Sequence, residues 1–401
     1  MIVVTVYIET LGCKLNQAES EVMRRDLAAA GYRIVQAVDN ADVLLLNTCT
    51  VTGVADRKAM QAVRSAIKAN ARLKVIITGC YVERDAETLT KLPGILATLG
   101  NDAKNNIASE FERLGFAPSE VPFEAEAGRT RSMVKIQDGC DHRCSYCVVP
   151  LVRSLKSCVP AGTIVEQIKA RQAEGFREVV LTGTEIGEYA CDGLDLAGLL
   201  KRILLETGIE RIRISSLQPQ EVTPELIRLW DNPRLCRHFH LSLQSGSDAV
   251  LGRMRRRYNT AGYLSAVKLI RDIVPEAAVT TDIIAGFPGE TDAEFEDSFR
   301  FIEQIGFSRL HVFPYSPRPG TLAASMPDQV EHSAVKPRVA RLLKLGRQCE
   351  AWFKGKFKGQ FLEVLVEARE EGRWVGYTDN YIRVSVDSDE DLENRIVPIK
   401  L

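Results

Sequence analysis

Gln137-Asp138-Gly139-Cys140-Asp141-His142-Arg143-Cys144-Ser145-Tyr146-Cys147 follows an apolar run, Met133, Val134 and Ile136, that reads as a strand. Its three cysteines are separated by three and then two residues and share one short loop. A structural zinc ion wants four closed ligands. A bare trio suits a cubane iron–sulfur cluster better, with three irons held by thiolates and the fourth left open for something that is not a cysteine. The alternative reading is a partial zinc site completed by a distant Cys or His.

Upstream, residues 1–115 alternate β-rich runs with helical patterns. Ile2–Ile8, Val43–Leu46, Lys74–Ile77 and Ile95–Leu99 read as strands, and Gln17–Ala30 and Ala55–Ala69 as helices. That rhythm predicts a doubly wound parallel sheet, whose ligands gather beyond the carboxyl ends of its strands. Cys13, Cys49 and Cys80 each follow a strand, in ETLGCKLNQ, LLNTCTV and IITGCY. Buried free cysteines scattered by chance would also fall inside strands. Three at successive strand exits point to a second cluster-binding trio, with a buried structural thiol as the plain alternative for any single one.

Downstream, residues 116–128 carry Pro, Gly and acids without periodicity and read as a linker. The following unit, 129–335, offers strands at 132–137, 177–182, 211–215, 238–243, 278–284 and 309–314. Six βα repeats imply a partial, open barrel whose chemistry lies at the carboxyl ends of its strands. Residues just past the strands are therefore candidates: Glu185 after the second, Ser216 and Gln218 after the third, Gln244 after the fourth. The fifth supplies Asp282 and Gly286, with Thr291 a helix N-cap. Arg253-Met254-Arg255-Arg256-Arg257-Tyr258 is either a solvated helix end or a phosphate contact with Tyr258 free to stack. The last unit, 336–401, begins with a basic helical stretch. It then switches to period two over Phe361–Glu367, Arg373–Tyr377, Tyr381–Val386 and Arg395–Lys400, which predicts a closed small β-barrel. Acids from Asp387 to Glu393 would keep RNA to its other side.

Composition sets the class. The chain has 401 residues, 45% hydrophobic and 26% charged, with a net charge of −1, which suits a soluble multidomain protein rather than a uniformly basic RNA binder. MIVVTVYIETLGCK has no basic leader and only a short apolar run, so neither a signal peptide nor a membrane span is expected. Ten cysteines diluted in so long a chain predict a reducing, cytoplasmic setting with metal-binding or catalytic thiols.

The CxxxCxxC loop resembles that of radical S-adenosylmethionine (SAM) enzymes. With the upstream trio, the whole chain resembles the methylthiotransferases. LGCKLNQ, NTCTV and TGC resemble the branch that modifies N6-threonylcarbamoyladenosine in tRNA; VGYTDNY resembles the TRAM module. The resemblance implies two [4Fe-4S] clusters and SAM. Cys140, Cys144 and Cys147 would hold the SAM-cleaving cluster, and Cys13, Cys49 and Cys80 the auxiliary one. Glu185, Ser216, Gln244, Asp282 and Gly286 would lie along SAM. It implies a tRNA anticodon stem-loop as substrate, an electron donor such as flavodoxin or ferredoxin, and no membrane. Sibling activities on isopentenyladenosine or a ribosomal protein aspartate, and a non-catalytic RNA-binding metalloprotein, remain as alternatives. One stretch departs from the family: Arg153 is kept, but Ser154 replaces a glycine, Ser157 replaces an arginine, and Cys158 is additional.

Overall fold

The computed structural model describes residues 3–123, 130–153 and 155–401. Part of the expected linker, the first residue of the expected opening strand, and Ser154 fall outside these residues. Strands β1 (Thr5–Thr10), β2 (Arg33–Val35), β3 (Val43–Thr48), β4 (Lys74–Gly79) and β5 (Ile95–Leu99) form one parallel sheet in the order β2-β1-β3-β4-β5. β2 has only three residues and no long apolar run, which is why the sequence pattern passes over it. β3, VLLLNT, is buried along its whole length, as a strand covered on both faces must be. Helix α1 (Lys14–Ala29), α2 (Gly53–Ala69) and α3 (Cys80–Thr90) alternate with these strands. α2 is capped by Thr52, whose hydroxyl accepts from the Ala55 amide.

The central unit opens with β6 (Arg131–Asp138), followed by α4 (Val149–Val152) and the two-residue β7 (Ser157–Cys158). β8 (Glu178–Gly183) and β11 (Arg211–Ile214) run parallel to β6, with a small hairpin, β9 (Ala190–Cys191) and β10 (Leu194–Asp195), between them in sequence. β12 (Ser216–Leu217), β13 (His238–Leu241), β14 (Ala278–Ala285) and β15 (Arg309–Pro314) continue the parallel set. One core of Val, Ile, Leu and aromatic side chains runs from Val134 to Cys349 and fuses these two part-sheets with their helices. The six expected strands are all present. Thr291 and Glu294 form the capping box of the helix Asp292–Ile305, as the turn chemistry predicts.

The C-terminal strands β16 (Phe361–Glu370), β17 (Arg373–Thr378), β18 (Arg383–Val386) and β19 (Ile396–Lys400) form an antiparallel sheet in the order β18-β17-β16-β19, consistent with a small β-barrel module. This sheet closes the amino-terminal end of the central strands. Tyr381 stacks on His238 with centroids 4.6 Å apart. Arg213, itself paired with Glu178 at 2.8 Å with both side chains buried, donates to the carbonyls of Thr378 and Asp379. Arg237 binds the Asp379 carboxylate at 2.6 Å, and that carboxylate is held below its usual range despite its burial. On the other flank, α1 packs against β6 and β8. Ser132 donates to Glu21 and Arg25 binds Glu174, so the first sheet and the barrel share α1 as a common wall.

Candidate active site

β6 ends at Asp138, and the chain turns at once. Gly139 sits at φ +73°, and a Cβ there would lie 2.0 Å from the Leu155 carbonyl oxygen, so only glycine fits. The loop that follows carries Cys140, buried, and Cys144 and Cys147, half-buried. It is supported from behind by the arginine-rich run. The Ser145 hydroxyl donates to the Arg253 carbonyl and its amide to the Met254 carbonyl, while the Ala323 amide donates to the Ser145 carbonyl. Arg256 reaches over the loop to within 3.3 Å of the Cys144 sulfur and 2.9 Å of the Gln218 side-chain oxygen.

This overturns part of the phosphate-contact reading. Arg253 is committed to Glu294 at 2.7 Å, and Tyr258 is buried with its hydroxyl on the Ser242 and Leu243 carbonyls, so it cannot stack on a base. Sequence charge density could not separate these inward arginines from the outward ones, Arg255 and Arg257.

Acids line the mouth beside the loop. Glu185 stands in the left-handed region at φ 51°, accepts from Gln218, and lies 3.3 Å from the His142 ring nitrogen. Glu188 lies 2.9 Å from that nitrogen; burial opposes its charge, but hydrogen bonds from Lys156 and Arg257 hold its carboxyl down to about 2. Glu221, in contrast, is half-buried beside Glu185 and Glu188, and loss of solvent together with those charges pushes its carboxyl up to about 8.

The other predicted mouth residues are more dispersed. Ser216 is exposed on β12. Gln244, at φ 67°, exchanges backbone hydrogen bonds with β14. Asp282 lies within β14, 3.3 Å from His240. Gly286, at φ 76°, donates its amide to Glu290, and a Cβ there would meet Val335 at 2.4 Å.

The second trio is assembled from three strand ends. Gly12, at φ +117°, would place a Cβ 2.4 Å from that of Cys49, so the Cys13 and Cys49 turns are pressed together. Gly79, at φ +101°, does the same between the ends of β4 and β3, where a Cβ would run into the Thr48 carbonyl, and Cys80 opens the helix that follows. Asn16 ties the turns by donating to the Leu11 and Thr48 carbonyls, and its side-chain oxygen accepts from the Cys13 thiol at 3.5 Å.

The two trios are neighbours. Cys80 packs on Val148 and Val152, directly after Cys147. Arg153 joins the halves: it donates to the Cys80 sulfur at 3.2 Å, to Glu19 of α1 at 2.7 Å, to Asp138 at 2.7 Å and to Asn16 at 3.2 Å. Glu19 is also paired with Lys104, which keeps its carboxyl well below the usual range in spite of burial. Arg318, from the segment after β15, grips Thr50 and Asp56 just past Cys49. Neither arginine's joining role can be read from a single stretch, because the partners each holds in the first unit lie 73 to 268 residues away.

The donor chemistry fits iron–sulfur clusters. All six sulfurs are free, and burial pushes the Cys49 and Cys147 thiols up to about 12 and Cys140 up to about 11, which leaves them short of positive charge. A tetrahedral zinc ion, with Zn–S bonds of about 2.3 Å, would draw its thiolates to within about 4 Å of one another. Among the described residues the groups whose ligand atoms all lie within 4.8 Å centre on His142 and its acids, and neither cysteine trio is one of them. The wider spread suits a polynuclear cluster.

The remaining four cysteines are neither in the trios nor placed as further metal-binding or catalytic thiols. Cys158 and Cys191 are joined as a disulfide that ties β7 to β9, and Cys236 and Cys349 are buried core thiols. β7 runs antiparallel to the end of β6, with Ser157 opposite Asp138, so the departures at Ser157 and Cys158 lie beside the cluster loop.

Comparison with known proteins follows the same division. Residues 5–100 match the uncharacterized protein family UPF0004, and residues 134–302 match the radical SAM superfamily. The chain is 35% identical to threonylcarbamoyladenosine tRNA methylthiotransferase MtaB of Bacillus subtilis (strain 168), over 99% of this chain and 93% of that one. It is 37% identical to the protein of that name from Thermotoga maritima, over 94% and 90%. It is 32% identical to tRNA-2-methylthio-N(6)-dimethylallyladenosine synthase of Syntrophotalea carbinolica, over 98% and 96%. The fold is shared with the radical SAM methyltransferase TsrM of Kitasatospora setae, at a TM-score of 0.58 and 13% identity over 80% of this chain and 77% of that one.

Proposed function

Because the chain belongs to the radical SAM methylthiotransferase family, we propose that it attaches a methylthio group to carbon 2 of the N6-threonylcarbamoyladenosine beside the anticodon of tRNA. In this reading residues 1–115, 129–335 and 336–401 are its three units. Cys140, Cys144 and Cys147 hold the SAM-cleaving [4Fe-4S] cluster, and Cys13, Cys49 and Cys80 hold the auxiliary one. Carbon 2 of an adenine carries no acidic proton for a side-chain base to remove; the two clusters and SAM, when bound, supply the one-electron chemistry and the sulfur.

The observation that carries the reading is Arg153, which grips Cys80 of one trio and Asp138 at the root of the other loop. Two donor sets held that close can act on one base. The chain's own residues then position and shield. Gly139 and the Ser145 hydrogen bonds fix the first loop, and Gly12, Gly79 and Asn16 fix the second. Glu185 and Ser216 offer polar atoms to SAM at the mouth, with Gln244, Asp282 and Gly286 along its length. An anticodon loop presents unstacked bases that such a mouth accepts. A flavodoxin or ferredoxin serves as electron donor, and the reaction takes place in the cytoplasm; no described helix is long and apolar enough to cross a membrane.

Mass spectrometry of tRNA nucleosides from a strain lacking the protein tests the assignment. Loss of the methylthio form of threonylcarbamoyladenosine alone is expected. Loss of methylthio-isopentenyladenosine instead would transfer the chain to the sibling activity.

A further inference from the structure

The Cys158–Cys191 disulfide has no part in the chemistry proposed above, yet it joins the two segments that frame the root of the cluster loop. One segment is 153–159. Cys158 lies opposite Gln137 and Ser157 opposite Asp138 at the end of β6; the Val159 amide donates to the Ile136 carbonyl, and the Cys140 amide to the Arg153 carbonyl. The other segment is 184–191. The Gln137 side chain donates to the Thr184 and Glu185 carbonyls at 3.0 and 2.6 Å, and the Thr184 hydroxyl to the Gly139 carbonyl at 2.6 Å. Glu188 lies 2.9 Å from the His142 ring nitrogen. From segment to segment, Lys156 donates to Glu188 at 2.8 Å and the Tyr189 hydroxyl to the Val159 carbonyl at 2.8 Å. Among the described residues the disulfide is the one covalent tie in this network.

The barrel does not need a staple here. β6 and β8 pair directly, and the core around them is large. β9 and β10, in contrast, pair only with each other, two residues on two. The disulfide therefore fixes a small hairpin, and the mouth acids Glu185 and Glu188 just before it, to the strand beside the cluster loop. Both cysteines are half-buried, and Cys191 adjoins the exposed Asp192-Gly193 turn, which gives a partner thiolate a route to its sulfur. In a cytoplasmic protein disulfides are mostly ones that are made and broken, and accessible ones are the labile ones.

We propose that Cys158 and Cys191 form a reversible redox site whose state sets how firmly the mouth is held for SAM. Its oxidant is a low-molecular-weight disulfide such as glutathione disulfide, and its reductant a protein dithiol. The inference rests on the function proposed above, which supplies the cytoplasmic setting and SAM at the mouth. In reduction a partner thiolate attacks the Cys191 sulfur, the S–S bond breaks, and Cys158 leaves as a thiolate that takes up a proton. The partner's second thiol then displaces Cys191 from the mixed disulfide. The pair gains two electrons and two protons, and the partner dithiol becomes a disulfide. Oxidation passes them to glutathione disulfide, which leaves as two thiols. With the bond open, the hairpin is tied to β7 by the Tyr189 and Lys156 hydrogen bonds, and the 184–191 stretch loosens.

The test uses the full-length protein, reconstituted anaerobically and equilibrated in glutathione buffers of graded thiol-to-disulfide ratio. Acid quenching, alkylation and peptide mass spectrometry then read each cysteine. Cys158 and Cys191 should pass together from dithiol to disulfide at one midpoint, with the cluster absorbance unchanged across it. Equilibrium dialysis should show SAM bound about three- to tenfold more tightly by the oxidised form, the range for ordering one such side chain in advance. Cys158→Ser and Cys191→Ser should bind SAM with the reduced-form affinity in every buffer, their folding checked by circular dichroism. A pair that stays reduced at every ratio, or a disulfide that resists excess dithiothreitol, overturns the inference. So does equal SAM affinity in the two wild-type states. These results leave the proposed function standing; absence of SAM binding in both states, with the pair still titrating, overturns both.

Discussion

The two cysteine trios reach the same kind of donor set by opposite routes. Cys140, Cys144 and Cys147 lie in one eight-residue loop, shaped by a single glycine turn and buttressed by the Arg253–Tyr258 segment. Cys13, Cys49 and Cys80 are contributed by three strand exits spread over nearly seventy residues, and each depends on the register of β1, β3 and β4 for its place. A local trio tolerates changes elsewhere in the fold. A distributed trio is only as well placed as the sheet beneath it, and here also as the arginine that fastens it to its neighbour.

The sharpest way to break the comparison is to remove one thiol from each side. Cys144→Ala should abolish SAM cleavage, read as 5′-deoxyadenosine release. Cys49→Ala should leave cleavage measurable but yield no methylthio product by mass spectrometry. Product formation by either variant would end the division of labour between the trios. Iron and acid-labile sulfide should each fall by about half in both variants, from about eight per chain with two cubanes.

Arg153 comes next, because it belongs to both sides. Its guanidinium touches Cys80, Asn16, Glu19 and Asp138, and their charges hold it protonated against burial. Arg153→Met leaves Glu19 and Asp138 with less compensation, an outcome that costs about 3–5 kcal/mol when one partner of a buried pair is lost. Denaturant unfolding should report that loss. Methylthio product should fall far more than SAM cleavage, because the first loop keeps its own supports at Ser145 and Thr184. Equal losses in the two activities would mean that Arg153 serves folding alone.

Glu221 sharpens the picture of the mouth. Burial beside Glu185 and Glu188 raises its carboxyl to about 8 from an ordinary value near 4.5. The folded protein therefore binds a proton that the unfolded chain has released between those values. That contribution to stability is full below about 4.5 and is lost as pH rises through about 8. Glu221→Gln keeps an acceptor for the Gln218 amide and removes the titration. Its melting temperature should exceed that of wild type above pH 8 by several degrees, at roughly 2–4 °C per kcal/mol. The advantage should vanish near pH 4.5; a pH-independent difference would show that Glu221 does not titrate in this range.

What the chain disclosed in advance follows from the range of each interaction. The six principal barrel strands and the parallel sheet were legible because a strand buried on both faces is written as a continuous apolar run, as in β3. β2 and β7 were not: three and two residues carry no periodicity. Of the site, the cysteines stood out by spacing and by following strands. Arg153, Arg256 and Arg318 did not, since an arginine reads as surface until its partners, 134, 38 and 262 residues away in these three cases, are brought to it. The Cys158–Cys191 pair was hidden for the same reason.

The arginine-rich run gives the smallest and most discriminating test of inward against outward charge. Arg253 and Arg256 are spent on Glu294 and on Gln218 with Cys144, whereas Arg143 and Arg255 are exposed beside the same mouth and make no ion pair among the described residues. Phosphate contacts made by exposed arginines release counterions, so each one removed should lower the salt slope of RNA binding by about 1 and weaken affinity uniformly across sequences. Arg255→Gln and Arg143→Gln, assayed by anisotropy with an anticodon stem-loop over a range of salt, should each do so without altering SAM cleavage. Arg256→Gln should instead leave the salt slope near its wild-type value and disturb the cluster absorbance, because its charge faces the Cys144 sulfur rather than the solvent. The reverse pattern would place the RNA backbone over Arg256 and return the run to the phosphate-contact reading.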